Sequence, residues 1–147
     1  MLGFFLGLFY ASGLEWFIHK HVFHKMGKKK GSIWAYHLKG HHVISKKNNF
    51  IDDKMSLAET VGMYALIAVH IPILFISPWF FSAILCYAVA FNVMHGYQHR
   101  HREFTKKWMP WHWEHHMKDS NKNFGVVAPW FDYIMGTRKK YLNKVDK

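Results

Sequence analysis

The chain has 147 residues, 50% hydrophobic and 18% aromatic, with 20 Lys and Arg against 9 Asp and Glu for a formal charge of +11. That is one domain's worth of apolar-rich material, which excludes a disordered solvating protein and an enzyme with a separate cofactor-binding domain. With one cysteine, Cys86, there is no intrachain disulfide framework, Cys-rich zinc ribbon or iron–sulfur cluster.

Met1 through Ile18 holds one charged residue, Glu15, and predicts one short membrane span, because about 20 helical residues cross a hydrocarbon core roughly 30 Å thick. Ala11-Ser12-Gly13 looks like a signal-cleavage region, but no Lys or Arg precedes the apolar run, which argues against a signal peptide. From Val61 to His99 there is no Asp, Glu, Lys or Arg, a run long enough for two spans. Ile76-Ser77-Pro78 breaks it into a tight hairpin of about Leu57 to Ile76 and Trp79 to Gln98, since Pro disfavours helix in the residue before it. Pro72 is expected to kink the first arm. The tail from Tyr141 is expected to fray.

The reading is an all-α integral membrane protein, a single domain over 1–147 with about three transmembrane helices and a helical cap. All cationic residues fall in two stretches, Lys20 to Lys54 and Arg100 to Lys147. One hairpin separates them, so both lie on one side of the membrane, and the positive-inside tendency assigns that side to the cytoplasm. The basic excess then reflects topology and attraction to anionic headgroups, about 1 kcal/mol per cation, and no nucleic-acid partner is expected.

Histidine is the unusual residue, with 13 copies. Ten fall into four groups: His19 and His24; His37, His41 and His42; His95 and His99; His112, His115 and His116. At about 100° per residue, the pairs His95/His99, His112/His116 and His37/His41 each share one helix face and could clamp one ion. His42 points about 140° away from His37, which suggests a second ion. His19 and His24 are also about 140° apart on a straight helix and are expected to serve different ions or to sit where the helix frays. Imidazole suits Fe, Zn, Cu and Ni, and so many rings exceed one ion's coordination, so the reading is a dimetal site. Glu15, Glu114, Asp119 and Asp132 are candidates to orient the rings by accepting their second N–H. His21, His70 and His101 belong to no repeated spacing. His70 is expected to hydrogen-bond a carbonyl freed by Pro72.

The set of boxes H-x4-H, H-x3-HH, H-x3-H and H-x2-HH, in this order around a hairpin, resembles the fatty acid hydroxylase and sterol desaturase superfamily of integral-membrane di-iron oxygenases. EWFIHKHVFH and the closing NKNFGVVAPWFDYIMGT also look like that family's first-box and C-terminal signatures, so the resemblance covers nearly the whole chain. Two departures stand out. Family members usually have four membrane helices where this chain has room for three, and the second box has three residues before HH where close fatty acid hydroxylases have two.

The resemblance implies two iron ions held by His19, His24, His37, His41, His42, His95, His99, His112, His115 and His116, with O2 as co-substrate. It implies hydroxylation, or desaturation, of an unactivated C–H bond of a membrane lipid such as a fatty acyl chain or sterol. No acid or base side chain is obligatory, so no separate catalytic residue is named. A lipid substrate would reach the site past Trp79, Phe80, Phe81, Phe91, Trp108, Trp111, Trp113, Trp130 and Phe131. The sequence holds no flavin, nicotinamide or haem-attachment motif, so electrons are expected from another protein, a ferredoxin or b-type cytochrome docking on the basic cytoplasmic face. The expected location is a bacterial inner membrane or the endoplasmic reticulum, and a homo-oligomer is possible. The alternatives are a carotenoid hydroxylase of the same chemistry, and a non-catalytic metal-binding or transport protein, which would need more polar groups through the bilayer.

Overall fold

The computed structural model describes residues 1–52 and 54–141, and it is all helical among them. Most of the tail expected to fray lies outside the described residues. In chain order the elements are α1 (Leu2–Phe17), a π-helical segment (Ile18–Met26), a second π-helical segment (His37–His41), α2 (His42–Lys47), α3 (Leu57–Val69), α4 (Ile71–Ile76), α5 (Pro78–Arg100), α6 (Arg102–Trp108), α7 (Pro110–Met117) and α8 (Trp130–Ile134). Three helical stretches are long and apolar enough to cross a membrane: Leu2–Met26, Leu57–Ile76 and Pro78–Arg100. The first is not short, because the helix runs past Ile18 as a π-helix and carries the first histidine pair on its end.

The hairpin forms where the sequence places it. Ser77 separates the arms, and Pro78 opens α5 at a first-turn position that lacks an intrahelical N–H partner in any residue. Ser56 caps α3, its hydroxyl accepting the Glu59 N–H at 3.1 Å while a Glu59 carboxylate oxygen takes the Ser56 N–H at 2.8 Å. The first arm breaks at His70, with Pro72 in the first turn of α4. The His70 ring donates Nδ1–H to the Leu66 carbonyl at 2.6 Å, one turn back on its own helix, and not to the Ala68 carbonyl that Pro72 leaves without its α-helical donor.

α1 and α5 form the tightest helix pair. A Cβ on Gly7 would lie 2.6 Å from the Phe80 carbonyl oxygen and 2.7 Å from the Ala83 Cβ, so only a residue without a side chain permits this approach. Small residues at helix contacts are how apolar helices come together where lipid competes for their side chains. By contrast, α3 packs sparsely. Phe5, Leu6, Val61, Tyr64, Val69, Phe75, Val89 and Val93 stay exposed on these helices, a surface suited to hydrocarbon. At one end of the spans, the π segments, the last turns of α5, α2, α6, α7 and a C-terminal strap (residues 122–127) enclose a polar interior in which all ten grouped histidines are buried.

Candidate metal centre

Two sets of imidazoles meet under the cap. His19, His24, His37, His42 and His115 place one ring nitrogen each within 4.8 Å of all the others, and His41, His95, His99 and His116 do the same beside them. His112 stands at the edge of the second set, its ring centroid 4.8 Å from that of His116 and 4.9 Å from that of His99. The sets abut: the His42 and His116 rings stack at 4.1 Å. All ten histidines of the four boxes thus converge from distant parts of the chain.

Their distribution departs from the straight-helix geometry in two places and follows it in a third. His19 and His24 were expected to separate, yet their Nε2 atoms lie 3.2 Å apart. The cause is the π-helix, whose i→i+5 hydrogen bonds, such as Gly27 N–H to the Val22 carbonyl at 3.1 Å, bring residues five apart back to one face. For the same reason His37 joins His42, five residues on, in the first set, while His41 goes to the second. The extra residue that sets the second box apart from close fatty acid hydroxylases is absorbed by this wider turn. Finally, His115 leaves His112 and His116 for the first set, because adjacent residues on an α-helix diverge by about 100°.

The rings are held by their far nitrogens. His37 Nδ1–H donates to Glu59 Oε1 at 3.0 Å and His41 Nδ1–H to Asp52 Oδ2 at 3.0 Å. His99 donates to the Phe50 carbonyl at 2.8 Å, His115 to the Lys122 carbonyl at 2.6 Å, His19 to the Phe124 carbonyl and His112 to Gln98 Oε1. Carbonyl and carboxylate oxygens only accept, so Nδ1 carries a proton, and in the neutral tautomer Nε2 is the lone pair. None of these partners was among the four carboxylates expected. Glu15 instead takes the Tyr87 hydroxyl and the Val126 amide, Asp132 takes the Phe124 and Gly125 amides at 2.8 and 2.7 Å, and Glu114 pairs with Arg138 at 2.8 Å. Asp119 binds Asn121 and Tyr141. Glu15, Asp132 and Glu114 act one shell further out, fixing the strap that supplies the Phe124 and Lys122 carbonyls. Glu59 carried a sequence signal, the Ser-x-x-Glu pattern at a helix start; Asp52 and the carbonyls carried none.

The backbone is strained where it serves the rings. Phe50 is fully buried with φ +81° and stacks its ring on His99 at 4.3 Å. Such a φ in a bulky residue costs about 1–3 kcal/mol and persists only when the surroundings enforce it. Burial first, then the neighbouring imidazoles, holds His37, His42, His112 and His116 well below the usual imidazole range. At Asp52 burial alone would raise the pKa, but the His41 N–H and Lys54 amide outweigh it and lower it.

Neutral rings with inward lone pairs make a specific demand. His19 Nε2 and His37 Nε2 face each other at 3.0 Å with both ring protons committed elsewhere, so no hydrogen bond joins them and the contact is repulsive. The buried Nε2 atoms of His41 and His112 find no hydrogen-bond partner either. A cation between the rings removes this cost, and an all-imidazole donor set fits a divalent transition metal such as iron. Outside the sets, His21 packs against Phe17 and exposed His101 donates back to the Tyr97 carbonyl at 2.9 Å.

Against this centre lies an apolar cavity of about 370 Å³. Leu14, Ile18, Met63, Leu66, Ile84 and Phe91 form much of its wall, and His19, His37, His41 and His95 face into it. Of the nine aromatic residues expected along a lipid's route, Phe91 alone lines it; Trp79, Trp108 and Trp130 are turned outward. The cavity is walled mainly by aliphatic residues of α1, α3 and α5, with Phe23, Trp34, Tyr87 and Phe91 among them, and apolar periodicity alone does not single these residues out.

A family model described as fatty acid hydroxylase matches residues 4–137. No curated protein and no solved structure matches the chain.

Proposed function

The chain belongs to the fatty acid hydroxylase family, and we propose that it is an O2-dependent oxygenase that hydroxylates, or desaturates, an unactivated C–H bond of a membrane lipid's hydrocarbon chain. Two irons, one in each imidazole set, supply the activation of O2 when bound. The remaining work falls to the chain's own residues. The carboxylates of Glu59 and Asp52 and the carbonyls of Phe50, Lys122 and Phe124 hold six rings, with Gln98, in the tautomer that presents Nε2. The aliphatic walls strip water from the hydrocarbon and lay it along α1 and α5, so that its C–H bonds pass His19 and His95 in a fixed order.

One observation carries this reading: the cavity opens on His19 and His37 of one set and on His41 and His95 of the other. A site built for structural zinc has no use for an empty apolar slot beside it. Electrons would come from a separate acidic carrier, a ferredoxin or b-type cytochrome, docking on the Lys- and Arg-rich cap, which the charge distribution assigns to the cytoplasmic side.

Purified protein is expected to hold about two irons per chain and to show no haem absorption. Untargeted lipid mass spectrometry of an expressing host, compared with a His99→Ala control, should reveal new hydroxylated or unsaturated lipids. Zinc in place of iron, with an unchanged lipid profile when oxygen and reductant are supplied, would refute the enzymatic reading.

A further inference from the structure

The cavity narrows away from the imidazoles, toward the N-terminal end of α1. Its lining stops at Leu14 and Ala11 on α1, at Leu66 and Ile67 on α3 and at Ile84 on α5. One helical turn beyond Leu14 and Leu66, on the same faces, stand Tyr10 and His70. The Tyr10 hydroxyl lies 2.8 Å from His70 Nε2. Since His70 Nδ1–H donates to the Leu66 carbonyl, Nε2 is the acceptor and the tyrosine donates. The Tyr10 ring also lies 5.5 Å from that of Phe80 on α5, so one side chain spans all three helices around the cavity. Deeper still, α1 and α5 come into direct contact at Gly7.

We infer that the Tyr10–His70 bridge is the floor of the substrate slot and measures the hydrocarbon from its far end. The inference rests on the oxygenase reading above. His19 stands eight residues above Ala11 on the first helix, about 12 Å at the α-helical rise. A hydrocarbon with 1.5 Å bonds advances about 1.3 Å per carbon when extended, so roughly nine carbons fit between the floor and the level of His19. The substrate class that follows is a flexible chain whose oxidised carbon lies about that far from its methyl end. A chain with a longer tail beyond that carbon is excluded or must buckle.

The test uses full-length, metal-loaded protein in lipid nanodiscs, supplied with O2 and a reduced ferredoxin as the two-electron donor, with saturated fatty acids lengthened two carbons at a time. One readout is displacement of a fluorescent polyene fatty acid, which needs no turnover. The other is the position of the new hydroxyl, read by mass spectrometry. The wild type should show a length limit and a hydroxyl at a constant count from the methyl end. Tyr10→Ala and His70→Ala should each let the tail drop toward Gly7, moving both the limit and the hydroxyl by up to about four carbons, the 5.4 Å of one turn. Ala11→Leu raises the floor and should move both the other way, which keeps the test decisive if a floor-opening variant does not fold. A hydroxyl at a constant count from the carboxyl end, unmoved in variants of normal iron content, overturns the inference and leaves the oxygenase reading intact. A length limit that moves in the variants, without any oxidised product, supports the floor and removes the oxygenase.

Discussion

The two imidazole sets are built differently although they touch. The first takes its pairs from residues five apart, His19/His24 and His37/His42, on π-helical turns, and completes itself with His115. The second takes His95/His99 from an α-helix, with His112/His116 at the same spacing of four on another, and borrows His41. Each set therefore holds one residue carried on a segment that mainly serves the other. The segment around the second box feeds both sets, and so does α7, which ties the two halves of the centre into one unit. The contrast teaches that histidine spacing reports an ion pair only once the type of helical turn is known.

The largest effects should come from breaking one set while sparing its neighbour. His115→Ala is expected to empty the first set and His99→Ala the second, each lowering iron from about two per chain toward one, read by metal analysis of folded protein. Loss of both ions in either variant would show a single inseparable site.

Deleting Val22 shortens the His19–His24 spacing to four and converts the first π turn toward an α turn. The first set should lose its ion and the second keep it. Retention of both ions would mean that the π geometry is not what assembles the first set.

A smaller and more selective change comes from the ring partners. Glu59→Gln should weaken metal affinity in the first set and Asp52→Asn in the second, each by about 10- to 100-fold, as measured by competition with a chelator. If the carboxylates only staple the loops, both variants will unfold more easily at unchanged affinity.

Acidification should act on both sets together. His37, His42, His112 and His116 have pKa values lowered below 6.5 in the fold, so between those values and about 6.5 the unfolded chain binds protons that the fold does not. Stability supplied by these groups is present above about pH 6.5 and lost as pH falls below it. Protons also compete with the metal for Nε2 in the same direction. Melting temperature and bound iron should therefore fall together below that pH, and stability that rises on acidification would contradict the buried neutral rings. At the small end, His21→Ala and His101→Ala should leave iron content unchanged, because neither ring reaches a set.

Much of the fold was legible because charge and apolar length are properties of the chain taken one segment at a time. The Ser77 hairpin and the break near Pro72 follow from Pro chemistry and from a run without charge, whereas His70 caps the Leu66 carbonyl and not the one Pro72 frees. The ring partners were not legible. Glu15, Glu114, Asp119 and Asp132 flank the first and last boxes, but the strap of residues 122–127 stands between most of them and the rings. Glu59 reaches His37 because the chain folds back at Ser56 to start α3, and Asp52 reaches His41 because the turn at residues 48–50 reverses the chain after α2.

By itself the sequence determined that apolar helices carry a buried store of imidazole, since no other placement satisfies such long uncharged runs and so many clustered histidines. Which rings gather into one set, which oxygens orient them, and where the apolar cavity lies were decided by the tertiary structure. The physical reason is that a ligand's direction depends on the local turn and on remote partners, and both are set by packing among segments far apart in the chain.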